Sequence, residues 1–259
     1  MENHTDSNTF EPRTGAAAAN AAAESGPDAR AFRRDYVLTD DGYLLVPNDG
    51  HMLLVDTGAP TSFGKGLDGV PGVPENPPES MAGLLTIDWL VDQVHHEFHG
   101  LIGAEVLRER TLVLDPGDRT VTLGREIIEP DAGVPVRHLM NVPIVDGFVA
   151  DRPAEIIFDT GAPLGFVPRE MVAGLDPVDR ISEFYPLLGP FETDVYELPL
   201  QIGDERQVMR FGILPEAAAQ MHATAGLPVL VGLGLLEHYR ISIGLREKRM
   251  RLEPLERSD

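Results

Sequence analysis

The same five-residue turn, Asp-Thr-Gly-Ala-Pro, ends an apolar run in each half of the sequence. The first copy is Leu53-Leu54-Val55-Asp56-Thr57-Gly58-Ala59-Pro60, and the second is Ile156-Ile157-Phe158-Asp159-Thr160-Gly161-Ala162-Pro163. A lone Asp-Thr-Gly is typical of an ordinary turn. Two copies after matching strand-like runs instead indicate an internal repeat, and this repeat decides the fold.

A second pair of matching segments follows the two turns. Gly100–Leu107 resembles Val229–Leu236, and the match continues without a gap through two strand-like segments in each copy. Those segments are residues 111–114 and 120–123 in the first copy, and 240–243 and 249–252 in the second. We therefore predict two related halves, residues 31–134 and 135–255, connected through Ile128–Pro135.

Most of the remaining sequence is typical of β-strands. Asp49-Gly50 separates two apolar runs within residues 43–55, and Gly203-Asp204 does so within residues 195–213. Both patterns predict hairpins. The sequence as a whole predicts an all-β fold with small helices.

Four helices are expected among the strands. Thr86 can cap an amphipathic helix whose apolar residues recur at helical spacing. A second helix is expected from Pro215 to Gly226, because Pro suits a first turn and Gly a helix end. Short helices are expected after Gly103 and Gly232.

Composition and charge exclude several classes of function. The 259 residues include 42 Asp and Glu against 21 Lys and Arg, a formal net charge of −21, and no Cys. A field of that sign repels nucleic acid and anionic lipid, so we expect neither as a partner. The absence of Cys excludes disulfides and thiolate chemistry. No apolar run is long enough for a transmembrane helix.

The first 30 residues differ from the rest in composition. They are small, polar or acidic, with an Ala-rich run at residues 16–23, and bury too little apolar surface to order themselves. They lack the basic start and long apolar stretch of a secretory signal. We expect a disordered tail at residues 1–30 and a cytoplasmic protein.

Two turns at equivalent places in a repeat can meet at a pseudo-two-fold axis. Asp56 and Asp159 would then lie close together, and one proton would be shared between them over a wide pH range. The ionised carboxylate can take a proton from water while the protonated one donates to a substrate carbonyl. Addition of water to a peptide bond needs this combination, without a metal or cofactor.

The paired turns, each followed by an apolar-apolar-Gly segment (Leu101–Gly103 and Leu230–Gly232), resemble the aspartic proteases. Ala after Asp-Thr-Gly is similar to the retropepsin branch, whereas two halves in one chain are similar to the pepsin branch. Bacterial retropepsin-like proteins are the nearest resemblance, which spans about residues 31–253. It implies two pepsin- or retropepsin-like β-barrel lobes with a cleft between them, and the activity of an aspartic endopeptidase.

The resemblance also implies roles for individual residues. Asp56 and Asp159 would be the catalytic dyad, and Thr57 and Thr160 would link the two turns by hydrogen bonds. The other turn residues would line or support the cleft: Gly58, Ala59, Gly161 and Ala162. The implied partner is a peptide or protein substrate, and the expected state is a monomer or weak homodimer.

The family covers its cleft with a hairpin flap, and here the sequence departs from the pattern. The first half has only a Pro-rich loop (residues 71–78) and the Thr86 helix in that place. In the second half, residues 183–191 are a candidate flap, including Leu188 and Gly189. Either Tyr185 or Trp89 could supply the flap aromatic.

The departure leaves two alternatives open. One is a catalytically inactive pepsin-like protein that binds peptides or acts as a scaffold, since an open cleft weakens electrostatic catalysis. The other is a homodimer that uses its two halves differently, with Asp56 and Asp159 far apart within one chain.

His95 and His99 could also share a helix face at a spacing that suits zinc, but the metalloprotease pattern is absent, so we predict no metal site.

Overall fold

The structure, a computed structural model, describes residues 31–186, 188–227 and 229–256. The predicted tail at residues 1–30 lies outside the described residues. Strands dominate the described part of the chain, so the fold is mostly β with small helices, as predicted. The strands are β1 Phe32–Asp35, β2 Val37–Leu38, β3 Leu44–Asn48, β4 His51–Val55, β5 Phe63–Gly64, β6 Ser80–Met81, β7 Leu85–Thr86, β8 Gly100–Ile102, β9 Thr111–Asp115, β10 Thr120–Gly124, β11 Val134–Leu139, β12 Val142–Val149, β13 Arg152–Phe158, β14 Gly165–Phe166, β15 Asp179–Tyr185, β16 Gly189–Ile202, β17 Glu205–Gly212, β18 Val229–Val231, β19 Tyr239–Gly244 and β20 Arg249–Pro254.

The helical elements are few and short. Helix α1 is Ile87–Val94 and helix α2 is Glu216–Thr224. The short helices expected after Gly103 and Gly232 are 3₁₀ turns, and a third such turn follows β14. The three turns span Ala104–Arg108, Arg169–Met171 and Leu233–Glu237.

The strands form one large sheet and two smaller ones. The large sheet has the order β1-β10-β9-β19-β20-β11-β12-β13-β18-β14-β17-β16-β15, the second β2-β3-β4-β8-β5, and the third β6-β7. The described residues from Ala31 onward form a single compact unit. The division into lobes at 31–134 and 135–255 therefore stays a prediction.

The strands around the two Asp-Thr-Gly turns pair in the same way. Strand β4 lies parallel to β8, with Val55 opposite Ile102, and β13 lies parallel to β18, with Phe158 opposite Val231. In both places a two-residue strand, β5 or β14, pairs antiparallel with the same neighbour. Each Asp follows the end of a strand held between two partners, which fixes the backbone of its turn.

The strands that follow the two turns pair with each other across the molecule. Strands β9 and β19 are antiparallel, with Leu112 opposite Ile243, Leu114 opposite Ile241, and Val113 opposite Ser242. Residues 111–114 and 240–243 are the segments that match in the sequence. Their antiparallel pairing has the form of a two-fold contact between equivalent elements.

One large apolar core runs beneath both turns, and two smaller clusters lie above it. The large core contains fully buried side chains such as Leu53, Phe158, Phe211 and Tyr239. Burial of each such side chain stabilises the fold by about 2–3 kcal/mol. One small cluster gathers around α1, and the other around α2. Residues of both clusters line the cavity described below.

Several local predictions are confirmed. Asp49 and Gly50 both have positive φ, 46° and 82°, as a two-residue hairpin turn between β3 and β4 requires. Thr86 caps α1 by accepting a hydrogen bond from the Trp89 N–H over 3.2 Å. The hairpin at Gly203-Asp204 joins β16 to β17.

The structure bears on two points that the sequence left open. His95 and His99 do not share a helix face, because α1 ends at Val94 and His95 takes a left-handed conformation, with φ of 57°. His99 instead accepts a hydrogen bond from the Met52 N–H. The first half does contain a hairpin, which is formed by β6 and β7.

Within the described ranges, no helix has the length and apolar character needed to cross a membrane.

Candidate active site

The two Asp-Thr-Gly turns bring the carboxyl groups of Asp56 and Asp159 into contact. The two carboxyls are close enough for the charge of Asp159 to raise the pKa of Asp56. A Cβ placed on Gly58 would lie 2.4 Å from the Asp159 Cγ, and one on Gly161 would lie 2.4 Å from the Asp56 Cγ. Each glycine therefore lies against the carboxyl of the other turn, and any side chain there would push the two carboxyls apart.

Backbone N–H groups hold each carboxyl in place. The Oδ1 atom of Asp56 accepts hydrogen bonds from Gly58 and Ala59, both at 2.9 Å. The Oδ1 atom of Asp159 accepts one from Gly161 at 2.8 Å. Because the donors belong to the turn backbone, the position of each carboxyl follows from the fold of its own turn.

Thr57 and Thr160 link the two turns beneath the carboxyls. The Thr57 N–H donates to the Thr160 Oγ1, and the Thr160 N–H donates to the Thr57 Oγ1, both at 3.0 Å. Each hydroxyl then donates to a carbonyl of the opposite strand: Thr57 to Phe158 at 2.7 Å, and Thr160 to Val55 at 2.8 Å. Both threonines are buried, so water does not compete for these bonds.

Burial raises the pKa of both carboxyls, and the proximity of Asp159 raises that of Asp56 further. For Asp56, burial is the largest cause, followed by the negative charge of Asp159 and the hydrogen bond between them, and the pKa rises well above its usual value. For Asp159, burial raises the pKa, while the N–H of Gly161 and the bond to Asp56 oppose the rise. The pair titrates as a unit and retains one proton over a wide range of pH.

The carboxyl pair lies in the wall of a cavity of about 390 Å³. Most of the cavity's lining is apolar, with Leu54, Leu101, Ile157 and Leu230 among the contributing side chains. Apolar surroundings strengthen the electrostatic action of a carboxyl pair because they exclude competing water. A cavity of this size can hold a few amino-acid side chains.

The hairpin of β15 and β16 contributes one side of the cavity. Its strands pair from Asp179 opposite Val195 to Tyr185 opposite Gly189. Tyr185 lines the cavity, and its hydroxyl lies 2.9 Å from the His222 Nε2 on α2. Because a carbonyl only accepts, the His222 Nδ1–H donates to the Leu227 carbonyl across 3.1 Å, which fixes the orientation of the ring.

The same hairpin also contacts the first half of the chain. Phe184 packs against Trp89 of α1, with ring centroids 5.4 Å apart. The strands β6 and β7 contribute Met81 and Leu85 to the cavity wall on that side. The tip of the β15–β16 hairpin thus has one aromatic contact with α1 and one with α2.

The structure brings most of the predicted site residues together. The cavity is lined by Asp56, Gly58, Ala59, Asp159, Gly161, Ala162 and Tyr185. Thr57 and Thr160 lie beneath it. Trp89, Leu188 and Gly189 are not among the described residues that line it: Trp89 packs beside Phe184, and Leu188 is exposed at the hairpin turn.

Sequence reasoning missed three polar residues of the cavity wall: Tyr43, Glu183 and His222. Only Glu183 fell within a segment singled out beforehand, as part of residues 183–191. His222 lies in α2, where Ala-rich neighbours predict a helix and nothing about its surroundings. Tyr43 precedes β3 and has the sequence pattern of an ordinary core residue.

No family model matches this sequence, and no curated protein does. Among solved structures, a retropepsin-like aspartic protease from Rickettsia conorii is similar at 19% identity and a TM-score of 0.31, covering 41% of this chain and 78% of that one. The simian foamy virus (mac) protease is similar at 15% identity and a TM-score of 0.27, covering 34% of this chain and 86% of the viral one. Each likeness spans less than half of this chain.

Proposed function

We propose that this protein is an aspartic endopeptidase, with Asp56 and Asp159 as its catalytic dyad. The observation that carries the proposal is the close approach of the two carboxyls in the wall of an apolar cavity, each against the glycine of the other turn. Two carboxyls in this position cost stability, because burial disfavours their charge and each repels the other. A pair kept at such a cost is typical of a catalytic site.

The geometry supports direct attack of water on a peptide carbonyl. The ionised carboxylate of the pair takes a proton from water as the water oxygen bonds to the carbonyl carbon. The protonated carboxyl gives its proton to the carbonyl oxygen, which forms a diol with two hydroxyls on one carbon. The carboxyl that took the proton from water then gives it to the amide nitrogen, while the other carboxylate takes a proton from a hydroxyl of the diol. The carbon–nitrogen bond breaks, a carboxylic acid and an amine leave, and the pair again holds one proton.

The turn backbone prepares the pair for this reaction. Gly58 and Ala59 hold one carboxyl, Gly161 holds the other, and the threonine link prevents the turns from separating. The carboxyls therefore need little rearrangement when charge develops on the substrate. The apolar lining suits an extended peptide whose side chains enter the cavity, with the β15–β16 and β6–β7 hairpins alongside it.

The alternative of a homodimer with separated aspartates is contradicted, because Asp56 and Asp159 lie in contact within one chain. The alternative of an inactive peptide-binding protein predicts binding without cleavage. The β6–β7 hairpin beside the cavity weakens the observation that favoured it, which was the lack of a clear flap in the first half.

Cleavage of a mixed peptide pool, with products identified by mass spectrometry from about pH 3 to pH 8, tests the proposal. We expect cuts by the wild-type protein that disappear in both Asp56→Asn and Asp159→Asn. Asp176→Asn, which alters an exposed side chain by the same chemical change, should cut like the wild type. Folded wild-type protein that cuts nothing over this range would overturn the proposal and favour the binding protein.

A further inference from the structure

Glu183 adds a third carboxyl to the cavity wall, apart from the aspartate pair. It lies in β15 and is partly buried. Among the described residues that line the cavity there is no Lys or Arg, and the one side chain that can become cationic, His222, is bonded to Tyr185 and Leu227. The cavity therefore has acidic groups and no strong base to balance them.

The surroundings of Glu183 explain why its charge is poorly compensated. Burial and the nearby negative charge of Asp41 raise its pKa to about 7, while a hydrogen bond from the Phe184 N–H lowers it. Asp41 is bound to His96 across 3.1 Å. The Tyr43 hydroxyl is also near Glu183, and its own pKa is raised by burial and by the charge of Glu183.

We propose that Glu183 binds the cationic side chain of a Lys or Arg in the peptide substrate. This inference rests on the proposed function and specifies its substrate class. A bound ammonium or guanidinium would give the Glu183 carboxylate the charged partner that the cavity lacks, through a charge-assisted hydrogen bond.

The shape and lining of the cavity favour a long basic side chain over a small cation. The cavity walls are largely apolar and aromatic, including Phe98, Phe184 and the ring of Tyr43. The methylene stem of Lys or Arg can pack against such walls while its charged end reaches the carboxylate. The net charge of −21 also attracts cationic peptides toward the protein.

Matched peptides test the inference directly. A peptide cleaved in the pool experiment is resynthesised with Lys, Arg or norleucine at each position in turn, because norleucine keeps the stem and removes the charge. The specificity ratio, kcat/KM for Lys over norleucine, is measured at pH 7.5 for the wild type and Glu183→Gln. Glu192→Gln is the matched control, because it removes the same negative charge from an exposed residue of the same hairpin.

The wild type and Glu192→Gln should prefer Lys or Arg at one position by about tenfold or more, the usual strength of a hydrogen bond to a charged group. Glu183→Gln should reduce that ratio to about one. Cleavage without a basic preference, or a preference that survives in Glu183→Gln, would overturn the inference and leave the proposed function intact.

A binding measurement tests this inference independently of the proposed function. If the wild type cuts no peptide, fluorescence anisotropy of the Lys and norleucine versions of a labelled peptide from the same pool replaces kcat/KM. Tighter binding of the Lys peptide that Glu183→Gln abolishes would support the inference while the proposed function fails. Equal binding or no binding of the two peptides would overturn both.

Discussion

Thr57 and Thr160 each accept a hydrogen bond from the other's backbone N–H, at 3.0 Å in both directions. The two residues are 103 positions apart in sequence, so each bond joins the two halves of the chain. Their hydroxyls also donate to carbonyls at the end of the opposite strand. The contact between Asp56 and Asp159 depends on this link, since each aspartate precedes one of the threonines.

Replacement of Thr57 by Val should destabilise the protein. Val keeps the shape of Thr but leaves the Thr160 N–H and the Phe158 carbonyl without their partner in a buried place. Each unpaired buried group costs about 1–3 kcal/mol, so we expect a loss of at least about 2 kcal/mol in the free energy of unfolding. Denaturant unfolding measures it. Thr57→Ser, which keeps the hydroxyl, is the control and should lose less than half as much; equal losses would contradict the role of the hydroxyl.

Asp56→Asn should stabilise the protein at high pH. The pKa of both aspartates is raised by folding, so the folded state binds more protons than the unfolded state above their ordinary pKa. Stability from this source is fully present at low pH and is lost as the pH rises through the pKa of the folded pair. The variant lacks the repulsion and should exceed the wild type by at least about 1 kcal/mol at pH 8, with a smaller difference at pH 4.

Unfolding by urea at the two pH values measures the effect on Asp56→Asn. Asp176→Asn serves as the control for a surface change of the same kind. A variant that is less stable than the wild type at pH 8 would show that the pair is not under electrostatic strain.

Glu183→Gln should reduce the dependence of the unfolding free energy on pH between pH 5 and pH 8. Folding raises the pKa of Glu183 from 4.5 to about 7, chiefly by burial. Its contribution is present below pH 4.5 and is lost as the pH rises through about 7. Relative to the wild type, the variant should therefore gain about 2 kcal/mol between pH 5 and pH 8. The control Glu192→Gln should follow the wild type, and a Glu183→Gln curve parallel to the wild-type curve would refute the assigned pKa.

Tyr185→Phe should loosen the tip of the β15–β16 hairpin. The variant removes the hydroxyl that is hydrogen-bonded to the His222 Nε2, a bond worth about 1 kcal/mol. Hydrogen exchange at residues 183–186 and 189–191 should become about fivefold faster, because local opening costs less. Exchange in β19 and β20 should stay unchanged. Uniform acceleration across the protein would show a general loss of stability instead of a local contact.

The two Asp-Thr-Gly turns and the strands that precede them could be predicted from the sequence, because both copies of the turn have identical residues. The hairpin at Asp49-Gly50 and the cap at Thr86 were also predictable, since each depends on chemistry within a few residues. The pairing of β9 with β19 agrees with the repeat, yet its register depends on contacts more than 100 residues apart. Sequence spacing alone does not determine such a register.

Other features had no local signal. Strands β6 and β7 have two residues each, too few to show an alternating pattern. Helix α1 ends at Val94 because His95 adopts a left-handed conformation. The helical spacing of His95 and His99 does not predict this end. The cavity residues Tyr43 and His222 become neighbours of the aspartates only through tertiary packing.

The most direct test of the central claim is the kcat/KM of wild type, Asp56→Asn and Asp159→Asn on one peptide that the wild type cleaves. Circular dichroism and denaturant unfolding first establish that all three proteins are folded. Because removal of either carboxyl eliminates one partner of the acid–base pair, both variants should fall by at least about 100-fold. A folded variant of either aspartate that retains activity within tenfold of the wild type would contradict the shared dyad.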